Sequence, residues 1–422
     1  MSLPSKWRKA TIGDLCKSVN GHGFAKNTWA KHGLPIIRIQ NLNGSRQFNY
    51  FAGEAEADWI VEPGDLLFAW AGVRGISFGP CLWHGKRGVL NQHIFRLDVH
   101  EDISKQWLFE ALVRVTPLIE KRAHGFKSNF LHVQRDDVLG QIVHVPPREE
   151  QDMIALVSAK FDFSVGRLRS LIRKLRRRRD ALATTLLTGD RRFGQFRQDQ
   201  WAEVQLGDVV RPISRPVIWS DDDEYRLASV RRWAKGVFDR GSIYGRDIKV
   251  KTLFTIHTDN ILISHIQAAY GAIARVPAEF DGAHVSSTYT VLDAIDGCIL
   301  PEYLGHLFAT RWMWHQAYLA SNGFFAERLR LCFNEEDFLN RRISFPISLD
   351  EQASIARTLT AADREIELVG KLRGSMVEQK RGWMQRLLTG EVRVTKSMID
   401  RLLSSGAQRN GQAIRPTKGA KR

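Results

Sequence analysis

The chain is poor in cysteine and has no long apolar run. Only four cysteines occur in 422 residues, Cys16, Cys81, Cys298 and Cys332. They lie far apart with no C-x-x-C pair, which argues against a zinc site and a disulfide framework and for reduced thiols in a cytoplasm. Nothing approaches the roughly 20 consecutive apolar residues of a spanning helix, and Lys6, Arg8 and Lys9 interrupt the N-terminus, so a membrane protein and an exported one are not expected.

Catalytic motifs are equally scarce. Gly79 to Lys86 (G-P-C-L-W-H-G-K) resembles a phosphate loop only loosely, with Arg87 where Ser or Thr should hold magnesium. Gly21-His22-Gly23 lacks the preceding apolar strand of a cofactor loop. Pro146-Pro147 sits between Val145 and Arg148, without the polar residue and aromatic stacker that hold a base in amino-methyltransferases. Glu378-Gln379-Lys380 falls in a helical stretch with no second acid, the thirteen histidines form no H-E-x-x-H, and Asp221 to Glu224 reads as an acidic loop. No catalytic residue, metal site or cofactor is expected on this chain.

What the sequence has is repetition. Trp7 to Leu15 (W-R-K-A-T-I-G-D-L) returns as Trp201 to Val209 (W-A-E-V-Q-L-G-D-V), an offset of 194. Pro146-Pro147-Arg148-Glu149-Glu150-Gln151 is answered by Pro346-Ile347-Ser348-Leu349-Asp350-Glu351-Gln352, and Leu186-Leu187-Thr188-Gly189 by Leu387-Leu388-Thr389-Gly390. Gln151 to Leu186 and Gln352 to Leu387 both span 35 residues. An interval kept to the residue indicates a rigid element, because insertions are tolerated in loops but break the register of a long helix.

Ile154, Phe161, Leu168, Leu175 and Leu182 recur every seven residues, and an offset of 201 gives Ile355, Ala362, Val369, Met376 and Trp383. Val157, Leu171, Leu359 and Ile366 supply a second apolar column. Two such helices are expected to pair as a coiled coil, each rod roughly 50 Å long; packing of each on a globular core is the alternative. Thr-Gly ends both in the manner of a left-handed cap. The globular portions carry short apolar runs bounded by Gly, Pro and Asn, predicting strands at Leu34 to Gln40, Asp65 to Ala71, Val89 to Leu97 and Gly140 to Val145. The second copy predicts Tyr225 to Val230, Asn260 to Ile266, Thr288 to Asp293 and Arg342 to Pro346. Faint echoes pair Leu97-Asp98 with Leu292-Asp293 and Trp107-Leu108 with Tyr303-Leu304.

The fold class that follows is α+β: two homologous mixed α/β domains separated by two long helices. The boundaries are 1–147 for the first domain, 148–192 for the first helical spacer, 193–347 for the second domain and 348–394 for the second spacer. A basic tail, 395–422, is expected to be disordered. The formal charge of +16 points to a polyanionic partner, with an acidic protein or membrane surface as alternatives. The first helix carries Arg167, Arg169, Arg173, Lys174 and Arg176 to Arg179, a solvated face or a contact for phosphates or an acidic subunit. In the first domain Lys26, Lys31, Arg74, Asn91, Gln92, His93, Lys127 and Asn129 are candidate DNA contacts. In the second they are Arg231, Arg232, Lys235, His265, Gln267 and Arg328. Their donors and acceptors suit base edges, and their positive charge suits phosphates.

The doubled series G-D-L, G-D-L-L-F-A-W-A-G (Gly64 to Gly72), P-P-x-E-E-Q and L-L-T-G, followed by G-D-V, D-N-I-L-I-S, P-I-S-L-D-E-Q and L-L-T-G-E-V-R-V, resembles the specificity subunit of type I restriction-modification systems over about residues 7 to 394. The resemblance implies two target recognition domains, each reading half of a split double-stranded DNA site, joined by helices packed as an antiparallel coiled coil with pseudo-twofold symmetry. It implies a non-catalytic, cytoplasmic subunit of a phage-defence complex. Two modification subunits binding S-adenosylmethionine and methylating adenine dock on it, with restriction subunits that use ATP and Mg. Arg148 and Ile347 depart from the family pattern at the junctions. The recognition loops do not transfer residue by residue. A coiled-coil scaffold with two protein-binding modules and a self-sufficient DNA methyltransferase or nuclease are the competing readings.

Overall fold

The computed structural model describes residues 4–122, 130–322 and 331–395, together with Ser397 and Ile399. Lys127, Asn129, Arg328 and nearly all of the basic tail lie outside the described residues. The chain divides into two units, Met1–Leu168 with Leu372–Arg422, and Arg169–Lys371. The boundary falls inside both long helices, Arg148–Leu187 and Leu349–Thr389, so each unit holds one globular portion and a stretch of each helix.

The recurring Gly-Asp dipeptide makes a capped turn. The Asp14 carboxylate accepts the Thr11 backbone N–H at 2.7 Å, and Asp208 accepts that of Gln205 at 3.0 Å. These turns drive Ile12 and Leu206, both fully buried, into their cores. Each follows the first strand of a two-stranded antiparallel ribbon. Arg8–Thr11 pairs with Ile142–Val145 in one unit, and Trp201–Gln205 pairs with Arg342–Pro346 in the other.

The two units share their main sheets. In the first, a four-stranded antiparallel sheet runs Cys16–Asn20, Ile94–Val99, Leu66–Ala69, Gly79–Leu82; in the second, the order is Val210–Pro212, Tyr289–Ala294, Ile261–Ser264, Ile273–Arg275. Each unit adds a mixed sheet with one parallel pairing, Leu34–Ile37 on Gly88–Leu90 and Glu224–Val230 on His284–Ser286. Leu66 to Phe68 and Ile261 to Ile263 are fully buried, as expected of central strands covered on both faces. The predicted strand Val89 to Leu97 is instead two strands in different sheets, because Asn91 to His93 turn the chain between them. The run Leu34 to Gln40 ends as strand at Ile37 and continues as a short helix, Ile39–Leu42.

Within each unit the helical stretches run antiparallel. In the first, Arg393 meets Glu150 and Lys380 meets Asp162; in the second, Arg178 meets Glu365 and Arg192 meets Glu351. Partner positions fall as positions along the first helix rise. Ile154, Leu175, Ile355 and Ala362 are buried, and Phe161, Leu168, Leu182, Val369 and Met376 are half-buried. The seam departs from a strict seven-residue repeat at Leu171 and Trp383, which are 41% and 37% exposed while the neighbouring Ile172 and Met384 point inward. A straight helix drifts by about 20° per heptad. The last turns also face a globular core rather than a partner helix, with Met384, Leu387 and Leu388 packed among Trp7, Trp107 and Val145.

Candidate nucleic-acid interface

The motifs that repeat most clearly close the two units. In the first, Glu150, nearly buried at the start of the first long helix, accepts the Trp7 indole N–H at 3.0 Å and a bidentate pair from Arg393 at 2.6 and 2.7 Å. In the second, fully buried Glu351 accepts Arg192 at 2.8 and 2.5 Å. The carboxylate hydrogen bonds hold each arginine's pKa above its ordinary value. Each guanidinium lies over a repeated tryptophan, Arg393 on Trp7 at 5.8 Å and Arg192 on Trp201 at 5.7 Å. Gln151 and Gln352 donate to the carbonyls of Pro146 and Pro346, both at 2.9 Å, and accept backbone N–H groups from Ser104 and Leu300 at 2.7 Å. Gly189 and Gly390 both take φ +78. The carboxylate, guanidinium and amide groups here are spent largely on one another, and the Trp201 indole N–H is buried without a partner among the described residues.

The free polar groups gather instead at one rim of each four-stranded sheet. In the first unit His22 bridges to Asn91, and Gly23 packs against Gln92, which joins the His22 loop to the Asn91-Gln92-His93 turn. Gln92 is exposed and meets His93 at 3.3 Å. His93 stands edge-on to Trp70 at 5.1 Å, and His132 does the same at 4.6 Å. The Trp70 indole N–H and His93 Nδ1 are buried with no hydrogen-bond partner among the described residues, an arrangement that ordinarily calls for a ligand or water. His22 stacks on Trp59 at 3.9 Å. Lys26 and Lys31 are exposed on the adjoining loop. Arg74 is exposed but anchored, donating to the Glu120 carbonyl at 3.0 Å.

The second unit builds the same rim from different side chains. Register places His265 where the first unit has Trp70, and since the Val133 N–H donates to the Trp70 carbonyl at 3.1 Å and the Phe333 N–H to the His265 carbonyl at 3.0 Å, Cys332 stands where the first unit has His132. His265 is tied inward, meeting the Thr290 hydroxyl at 2.9 Å, which in turn donates to Glu335 at 2.8 Å. Burial lowers its pKa, and the Thr290 contact fixes the orientation of its ring. Gln267 lies half-buried in the turn that follows. The hairpin loop Arg231 to Gly236 folds onto that turn, with Trp233 and Ala234 donating backbone N–H groups to Tyr270 and Gly271 at 2.9 Å. Arg231 and Arg232 lie over Phe238 and Tyr270 at 4.5 and 5.3 Å, and Lys235 is exposed. Among the described residues no group of three or more His, Cys, Asp or Glu is placed to hold a metal ion.

Residues 4–163 match the family model described as the type I restriction modification DNA specificity domain. The chain is similar to type I specificity subunits over most of its length. It is 23% identical to the specificity subunit of the type I restriction enzyme EcoBI of Escherichia coli over 85% of this chain and 79% of that one. It is 22% identical to the putative type I MjaX specificity subunit of Methanocaldococcus jannaschii, over 93% and 95%. Among solved structures, its fold matches the type I S subunit of M. genitalium with a TM-score of 0.52 at 16% identity, covering 92% of this chain and 98% of that one. A chain from work on complex assembly and conformational transition of the type I R-M system gives 0.56 at 13%, covering 93% and 100%.

In the sequence the rim loops stand out by their Lys, Asn, Gln and His residues, whereas their aromatic content does not. Trp70, His132 and Trp59 went unselected because each sits in an apolar or turn-like run, and only the sheet register brings them beside Asn91 to His93. The available signal was Trp70 itself, a tryptophan in a run whose counterpart, Asn260 to Ile266, carries His265.

Proposed function

We propose that this chain reads a bipartite, asymmetric double-stranded DNA site within a type I restriction-modification complex, each globular portion addressing one half-site. One observation carries the reading: two copies of one scaffold present different side chains at equivalent rim positions, Trp70 against His265 and His132 against Cys332. Duplicated scaffolds imply two half-sites, and unlike rims imply that the halves differ. Residues 1–147 and 193–347 act as target recognition domains and 148–192 and 348–394 as spacers. Base and phosphate contacts come from Lys26, Lys31, Arg74, Asn91, Gln92, His93, Arg231, Arg232, Lys235, His265 and Gln267.

The chain is a recognition subunit and leaves chemistry to others. Two modification subunits supply S-adenosylmethionine-dependent adenine methylation, and restriction subunits supply ATP- and Mg-dependent translocation and cleavage, in the cytoplasm and in defence against phage. Among the described residues no helix is long and apolar enough to cross a membrane.

Replacing residues 7 to 145 with the equivalent stretch of a related subunit is expected to change one half of the methylated motif and leave the other intact, read by methylome sequencing. A change in both halves, or in neither, overturns the reading. Deleting one heptad from each long helix is expected to shorten the gap between half-sites by about three base pairs, from ~10 Å of lost helical rise.

A further inference from the structure

We propose that Trp233 is the aromatic side chain through which the second unit contacts the bases of its half-site, stacking on or into a single base step. The inference rests on the DNA-reading function above and assigns it a residue.

Trp233 and Ala234 occupy the left-handed region consecutively, at φ 65 and 48, where a Cβ crowds the backbone and glycine or asparagine is the usual occupant. The conformation is held from outside by three backbone bonds: Trp233 to the Tyr270 carbonyl and Ala234 to Gly271, both at 2.9 Å, and Arg231 to Gly236 at 3.0 Å. The receiving turn is itself specified. Gly271 has φ +70, and a Cβ there would lie 2.5 Å from the Trp314 indole. Strain that neighbouring structure over-determines is characteristic of functional positions.

What the strain achieves is display. Trp233 is 54% exposed, touching Tyr270 and Trp314 only edge-on, both at 6.2 Å. Its neighbours in the loop are cations: Arg231 and Arg232, each laid on an aromatic ring, and exposed Lys235. An indole held out to solvent among positive charges suits a π-face bordered by phosphates, which a nucleic-acid base provides. An apolar pocket on a protein partner would not call for the surrounding cations.

The test uses the chain assembled with its modification subunits, and duplexes carrying 2-aminopurine at successive positions of the mapped second half-site. The expected result is a fluorescence change at one position that Trp233→Ala abolishes. Cognate affinity is expected to fall about 5- to 150-fold, the range for loss of one base–aromatic stack, with the salt dependence unchanged because no charge is removed. Trp233→Phe is expected to retain most of the binding. Trp233→Gly, which takes the left-handed backbone freely, keeps the fold intact and serves where the alanine variant is poorly folded. Wild-type affinity in the alanine or glycine variant overturns the proposal. So does failure of Trp233→Ala to assemble with the modification subunits, which would make the indole a protein anchor. Replacement of residues 201 to 345 that leaves the motif unchanged would instead remove the DNA-reading function of this unit.

Discussion

Where each globular portion leans on the long helices, equivalent positions carry opposite chemistry. In the first unit buried Glu110 accepts Lys380 at 3.1 Å and the Ser158 hydroxyl, while Lys380 also binds Asp162 at 2.8 Å. The repeat places His306 at the position of Glu110, Arg179 at that of Lys380 and Asp363 at that of Asp162. Arg179 donates to Asp363 at 2.9 and 3.1 Å, and His306 Nε2 meets the Thr360 hydroxyl at 2.9 Å. Burial, and then the Arg179 charge, push the His306 pKa down to about 4. One junction is built from two acids and a base, the other from an acid, a base and a ring that must stay neutral. The repeat thus preserves geometry while leaving electrostatics free to diverge.

The largest separation between the units is expected at the closing ion pairs. Glu351→Ala strips the partner from Arg192, whose side chain is only 16% exposed, and should cost about 3–5 kcal/mol. Glu150→Ala should cost less, because Arg393 is 43% exposed and can turn to water. Urea unfolding of each variant measures this, and equal losses would erase the asymmetry. Next comes pH. His306 has a lower pKa folded than its ordinary 6.5, so the unfolded chain binds more protons as pH falls from about 6.5 to about 4. The second unit should lose stability through that window. His306→Gln is expected to flatten its share of that slope in a pH series of unfolding midpoints; an unchanged slope would show that His306 does not carry it.

A smaller effect is expected at the helix ends. Gly390→Ala and Gly189→Ala each force a left-handed alanine, costing ~1–2 kcal/mol. The loss should be greater at Gly390, where the new Cβ would lie 2.7 Å from the Pro4 ring against 3.3 Å from Trp201 at Gly189. Thermal midpoints of the two variants decide it. The smallest change in stability belongs to the surface. Arg173, Arg176 and Arg177 are exposed, and the second helix has Gly374, Val377 and Glu378 in their places. Changing all three to Gln is expected to leave stability within ~0.5 kcal/mol per site. If these arginines lie on phosphates, DNA binding should lose about one unit of salt slope for each contact removed. An unaltered slope would make this face a solvated one.

The duplication, the long helices and the helix-ending glycines were legible in the sequence because each depends on local spacing. The drift at Leu171 and Trp383 was not, since it reflects which surface the helix faces at each turn. The same limit applies to the rims. Asn91 to His93 stood out as adjacent polar side chains, whereas Trp70 and His132, 62 positions apart, meet only through sheet register. The hold on His265 through Thr290 escapes local pattern too, because Glu335 lies 70 positions further on.

The second unit is one unbroken stretch of chain, whereas the first is interrupted and recovers Leu372–Arg422 only after that stretch. The ribosome therefore releases the N-terminal sheets long before Met384, Leu387 and Leu388 exist to cover them. At ~5–20 residues per second the wait lasts about 10–40 s. The part of the protein made first is the last able to finish folding, and its apolar ribbon face must survive that interval exposed or in the care of a chaperone.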